Sequence, residues 1–250
     1  MKLINFLFIW CVLQVSVNAQ SVSELISQAQ KLELQKNESA ALEKYKQALL
    51  TDKHNLDALC GASFMCARIG NRETNSDKKN AYFRTAKVFA EEAMKINPNS
   101  SNANYMMAVA MGRIALISGP RDKVAASRDI KKFASTAVKL DPAQRGAWHV
   151  LGKYNYEVSN LNFAERGAAK LLFGGLPPGD LKTAIQCYEK CRALDATYIV
   201  NLHDLAKAYL QDDQKDKAKA VLNQALNLPE KFQDDVFYKS ECRKLLAEIR

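Results

Sequence analysis

Three histidines, His54, His149 and His203, and five cysteines beyond the first twenty residues, Cys60, Cys66, Cys187, Cys191 and Cys242, are the side chains here best suited to acid–base, nucleophilic or metal chemistry. Their spacing argues against all three. The sequence contains no H-E-x-x-H pair, no G-x-S-x-G elbow and no Walker-type glycine loop. Cys187 and Cys191 stand four apart and share a helix face, but a C-x-x-x-C without a second matched pair is short of the ligands a structural zinc needs. The thiols therefore read as small packing residues. Gly174-Gly175, followed by Leu176-Pro177-Pro178-Gly179, reads as a helix stop and loop rather than a phosphate cradle. Asp212-Asp213 and Asp234-Asp235 fall where helices should start, and a helix N-terminus stabilises negative charge without any acid–base role. The expectation is of a protein that is not an enzyme, with no cofactor and no metal.

Binding chemistry is better supported. His149 with Lys153, and His203 with Lys207, are each spaced i, i+4. Arg113 falls near the corresponding face one repeat earlier, and Tyr156 adds an aromatic neighbour. A face built from Arg113, His149, Lys153, Tyr156, His203 and Lys207 would accept an acidic peptide or protein segment, or an anionic head group. The alternative is that these are solvated helix positions with no ligand.

The elements that would position such a face follow from one recurring segment. A helix ending in a small residue, then an apolar residue and an Asp, Asn or Pro stop, occurs around Ala48, Ala93, Ala137, Cys191 and Ala225. The last two anchors lie one tetratricopeptide unit apart, and the wider intervals must carry extensions. The widest separates Ala137 from Cys191, the same spacing that relates His149 to His203. The apolar spacing predicts helices paired as 22–36 with 38–51, 55–69 with 77–96, 101–118 with 121–140, 143–159 with 180–195 and 198–211 with 213–227, closed by a helix near 231–249. Ser21 and Glu24 form a capping box for the first. Pro98 and Pro142 are placed to stop one helix and enter the first turn of the next. No strand pattern is evident, so the fold class is all-α, a tetratricopeptide-like solenoid.

The segment 161–178 is expected as an insertion within the fourth pair. Leu161, Phe163, Ala164, Ala168, Leu171, Leu172 and Phe173 alternate there with Glu165, Arg166 and Lys170, as in an amphipathic helix. Its apolar side either packs on a neighbouring repeat or covers a groove for a lipid or apolar small molecule.

Residues 1–19 read as a secretory signal peptide: Lys2, an apolar stretch from Leu3 to Leu13, then Val17-Asn18-Ala19 before Gln20. The domain is then 20–250, exported to a periplasm or secreted, with no transmembrane segment in the mature chain. In an oxidising compartment five cysteines leave at least one thiol free or intermolecular if the others pair. The chain of 250 residues is 48% hydrophobic and 25% charged, with a net charge of +9, enough apolar content to bury a core. Its charges are interspersed and no run of five basic residues occurs, which argues against a nucleic-acid partner.

Leu151-Gly152-Lys153-Tyr154-Asn155-Tyr156, continuing through Leu161 to Lys170-Leu171-Leu172-Phe173 and Pro177-Pro178, resembles the signature stretch of the regulator of microtubule dynamics protein family. That family carries L-G-x-aromatic-x-Y, then a basic helix ending in L-F and a Pro-Pro. The chain departs from it at Tyr154 and Asn155, where relatives often have Trp and Cys. The resemblance covers about residues 55–250, and Ser118 to Val124 is similar to bacterial members. It implies an all-α helical-repeat fold with a binding role, in a secreted, bacterial member; microtubule association, and lipid transfer for one membrane-contact member, belong to eukaryotic relatives.

Overall fold

The structure, a computed structural model, describes residues 20–249. The expected signal peptide and its cleavage point lie outside the described residues. Twelve α-helices and, among the described residues, no strand make up the fold: α1 (Val22–Leu34), α2 (Glu38–Thr51), α3 (Leu56–Arg72), α4 (Ser76–Ile96), α5 (Ser101–Ile117), α6 (Pro120–Leu140), α7 (Arg145–Ser159), α8 (Phe163–Phe173), α9 (Leu181–Leu194), α10 (Ile199–Gln211), α11 (Lys215–Asn227) and α12 (Asp235–Glu248). No described helix is long and apolar enough to cross a membrane.

The first four of the five hairpins end in the same local device. Asp52, Asn97, Asp141 and Asp195 end α2, α4, α6 and α9, and each donates its backbone N–H to the carbonyl of the small anchor four residues back, Ala48, Ala93, Ala137 or Cys191. Each side chain then accepts the N–H two residues on, from His54, Asn99, Ala143 and Thr197, at 2.9–3.1 Å. This Asx turn reverses the chain without a Gly. The prolines sit inside these turns rather than in the next helix: the Pro98 carbonyl accepts Asn104 Nδ2 at 2.8 Å and the Pro142 carbonyl accepts Trp148 Nε1 at 2.9 Å. Among the described residues, only Pro120 occupies a helix N-terminus. Ser21 and Glu24 form the capping box that starts α1.

The anchors Ala48, Ala93, Ala137, Cys191 and Ala225 are wholly buried. Tyr188 on α9 lies so close to Gly152 on α7 that a Cβ there would meet its ring at 2.6 Å, and Tyr45 on α2 stands in the same relation to Gly61 on α3. The helices pair as α1–α2, α3–α4, α5–α6, α7–α9 and α10–α11. The first helices of successive pairs also touch, α3 with α5, α5 with α7 and α7 with α10, whereas the second helices make no comparable contact. Close spacing in one layer and splay in the other curve the array, placing α3, α5, α7 and α10 on its inner side.

Between α7 and α9, α8 leaves the array and touches α6. Gly174 and Gly175, both at positive φ, end it, their N–H groups returning to the Lys170 and Ala169 carbonyls. Arg128 on α6 donates to the carbonyls of Phe173 and Gly175, and Tyr154 Oη donates to the Pro177 carbonyl at 2.7 Å. Of the apolar residues of α8 only Ala169 is buried, while Phe163, Leu171 and Leu172 face outward.

Two sequence expectations are corrected near the turns. Asp212 ends α10 and Asp213 carries a left-handed φ of 54°, so this pair builds a turn rather than a helix start. The last helix begins at Asp235, not near 231, because residues 229–234 follow another course.

Candidate functional site

The inner helices carry most of the polar side chains that the array buries. Asp204, on α10, accepts from His149 Nε2 on α7 at 3.1 Å and from the adjacent His203 Nδ1 at 2.9 Å, with Lys153 Nζ at 3.5 Å. Burial would raise its pKa, but the charge of Lys153 and the two histidine hydrogen bonds outweigh that and hold the carboxyl well below the usual carboxylate range. Asp204 in turn raises Lys153, against the effect of desolvation. The His149 ring packs on Tyr188 and Tyr198, centroids 5.8 and 5.5 Å away, and His203 packs on Tyr238 of α12 at 5.4 Å.

A second group lies at the other end of the inner face. Glu38, 2% exposed at the start of α2, pairs with Arg68 and Arg72 of α3. Arg72 Nη1 reaches Asp234 Oδ1 at 2.7 Å, and the Arg68 guanidinium lies 4.3 Å from the centre of the Phe232 ring. Between the groups, Arg145 pairs with Asp195 at 3.1 Å and stacks 4.7 Å over Tyr198. Arg113 on α5 donates to Asn71 Oδ1 at 2.9 Å and, among the described residues, forms no ion pair. Burial pulls its pKa below the ordinary guanidinium value.

Of the expected face, the structure brings His149, Lys153 and His203 together around Asp204, and sets Lys207 5.5 Å over the Tyr156 ring on the same side. The two histidines are buried in hydrogen bonds to Asp204 instead of standing free for a ligand, and Arg113 lies apart, beside Asn71 and Phe83. Sequence reasoning missed Asp204, Arg68, Arg72, Glu38 and Asp234, since a helical carboxylate or arginine gives no hint of its partner in a distant repeat. Asp204 alone carried a cue, standing beside one of the two equivalent histidines. Among the described residues no group of His, Cys, Asp and Glu could hold a metal, and neither histidine ring hydrogen-bonds a hydroxyl or thiol to activate. The five thiols among the described residues are buried and free.

A family model, regulator of microtubule dynamics protein 1-3, matches residues 25–250. Regulator of microtubule dynamics protein 1 of Caenorhabditis elegans is 28% identical over 157 residues, covering 63% of this chain and 70% of that one. Human regulator of microtubule dynamics protein 2 is 27% identical over 178 residues, 71% of this chain; the match spans only 43% of the human protein. Among solved structures, a thermophilic tetratricopeptide-repeat protein of Thermus thermophilus superimposes with a TM-score of 0.65 at 15% identity, covering 91% of this chain and 100% of that one. The all-α helical-repeat fold thus holds in sequence family and in architecture.

Proposed function

Because this chain belongs to the regulator of microtubule dynamics protein 1-3 family, we propose that it is a binding module without catalytic chemistry of its own, whose inner face accepts an acidic peptide or protein segment. One observation carries this reading. Arg113 Nε is a buried donor with no hydrogen-bond acceptor among the described residues, and a buried guanidinium donor left unpaired is costly unless an anion meets it. The net charge of +9 favours an acidic partner at longer range. The relatives' names bring microtubules among the candidate partners. The signal-like leader instead directs the search to a periplasmic or secreted partner, with the chain exported and residues 1–19 removed; N-terminal sequencing reads that directly.

The test is a pull-down of partners by the wild-type chain and by an Arg113→Gln/Lys207→Gln variant, at low and at high salt. The expected result is binding weakened about tenfold in the variant and falling steeply with salt, since long cations give charge-assisted but screened contacts. Binding unchanged in both respects removes the inner face as the site.

A second reading, a lipid or apolar small molecule held beneath 161–178, is favoured by a cleft of about 290 Å3 between α8 and Val158, Leu161 and Pro177. That volume suits one acyl segment better than a whole two-chain lipid. Solvent extraction and mass spectrometry of the purified chain would find a stoichiometric apolar ligand or eliminate this reading.

A further inference from the structure

At the exit of the fifth repeat the sequence breaks the pattern of the other four. Four residues after the anchor Ala225 stands Pro229, where the earlier repeats have Asp52, Asn97, Asp141 and Asp195. Proline has no N–H for the anchor carbonyl and no side-chain acceptor for an Asx turn, so the chain is not folded back into another hairpin. Residues 229–234 instead cross the inner face. Lys231 Nζ donates to Thr197 Oγ1 at 2.8 Å beside α10, and the Phe232 ring meets Tyr198 edge-on, at 6.3 Å, and Arg68 face-on. Further across, Glu230 pairs with Lys36 at 3.4 Å, the Gln233 amide donates to the Lys36 carbonyl, and Asp234 pairs with Arg72.

The segment is shaped for this contact. Asp235 Oδ2 accepts the N–H groups of Lys231 and Phe232, both at 2.8 Å, which fixes the loop from within. Asp234 occupies the N-cap position of α12 and makes no cap bond there; its carboxylate goes to Arg72. The side chains of Lys36, Glu230 and Arg72 are 38, 32 and 28% exposed, so these ion pairs are partly solvated and exchangeable. The pair beneath them, Arg68 with Glu38, is 8 and 2% exposed and stays with the array.

We propose that residues 230–235 are a tethered ligand of the inner face, and that the partner admitted there has the same chemistry: an acidic segment with one aromatic residue flanked by carboxylates, as Phe232 is by Glu230 and Asp234. This rests on the reading that the inner face takes acidic segments. A tethered segment acts at an effective concentration of about 1 mM, so a free copy with a Kd of about 10 μM would be masked about a hundredfold.

The test uses the full chain and a fluorescent synthetic peptide of residues 229–238. The wild-type chain should bind it at least tenfold more weakly than a Phe232→Ala/Asp234→Ala variant of unchanged helix content, and adding Arg72→Glu should abolish the gain. A variant that folds and binds no better than wild type, or whose gain ignores Arg72, overturns the proposal. Should the variant lose helix, hydrogen exchange on the wild-type chain decides: excess peptide should accelerate the amides of 230–235 severalfold and leave α5 unchanged, and no acceleration overturns it. Peptide binding by the unlatched variant, with no partner recovered in the pull-down, would uphold the tethered ligand and remove the acidic-partner reading; the opposite pattern would do the reverse.

Discussion

His149 and Asp204 lie 55 positions apart in the sequence and 3.1 Å apart in the structure, on the inner helices of consecutive repeats. Asp204 is thereby a joint between repeats, its carboxylate stabilised by His149 and Lys153 from one and by His203 from the other. Replacing it with Asn keeps the shape and removes the charge, and because Lys153 is half-exposed no buried cation is stranded, so Asp204→Asn should lose about 1–3 kcal/mol at pH 7. Because the folded-state pKa is depressed, this stability is fully present above the unfolded value of about 3.9 and is lost as pH falls through the lower folded value. Denaturant midpoints of the two proteins should therefore converge below about pH 4; a gap that stays constant to pH 2 would place the effect elsewhere.

Gly152 and Tyr188 make a second, purely steric, pairing. With the Tyr188 ring fully buried, a methyl at 2.6 Å cannot be relieved by moving the ring outward. Gly152→Ala should cost about 1–3 kcal/mol, seen as a fall of several degrees in Tm. Tyr188→Leu in the Gly152→Ala background should cost less than Tyr188→Leu alone, a non-additivity that thermal denaturation of all four chains measures.

Burial pushes the thiols up, to about 11 for Cys187 and Cys242 and to about 12 for Cys60, Cys66 and Cys191. A thiol reacts as its thiolate, so at pH 8 these five should be silent to a disulfide reagent in the native chain and all react in denaturant. Fast labelling of any one without denaturant would contradict the packing described for it.

Arg128 holds the end of α8 by carbonyl contacts alone. Arg128→Ala should release 161–178 and speed proteolytic cleavage there, while the main unfolding transition moves by less than about 1 kcal/mol, as for a change outside the core. A large loss of global stability would mean that α8 belongs to the cooperative core.

The repeat architecture was legible because its cause is local. Small anchors, Asp or Asn stops and apolar spacing are nearest-neighbour properties, and the five helix pairs follow from them to within a few residues. The site was legible only as far as periodicity reaches. That His149 and His203 occupy equivalent positions could be read from their spacing; that both serve Asp204 could not, since it depends on how consecutive repeats pack. The face of α8 shows the same limit, its alternation marking a helix without saying that Phe163, Leu171 and Leu172 would stay outside. The course of 229–234 had one cue, Pro229 where the other repeats carry Asp or Asn, and its destination lay at the far end of the chain.

Pairing Lys36 with Glu230 and Arg72 with Asp234 joins residues 194 and 162 positions apart. A stack of repeats coupled only to its neighbours is an open string, free to fray from either end. Tying the first two hairpins to the last loop removes those ends: a rupture elsewhere leaves a chain of repeats still held at both sides, and α12 cannot peel away without breaking the pairs at Lys36 and Arg72. Cutting the tie should change the order in which the protein comes apart more than the total work of taking it apart.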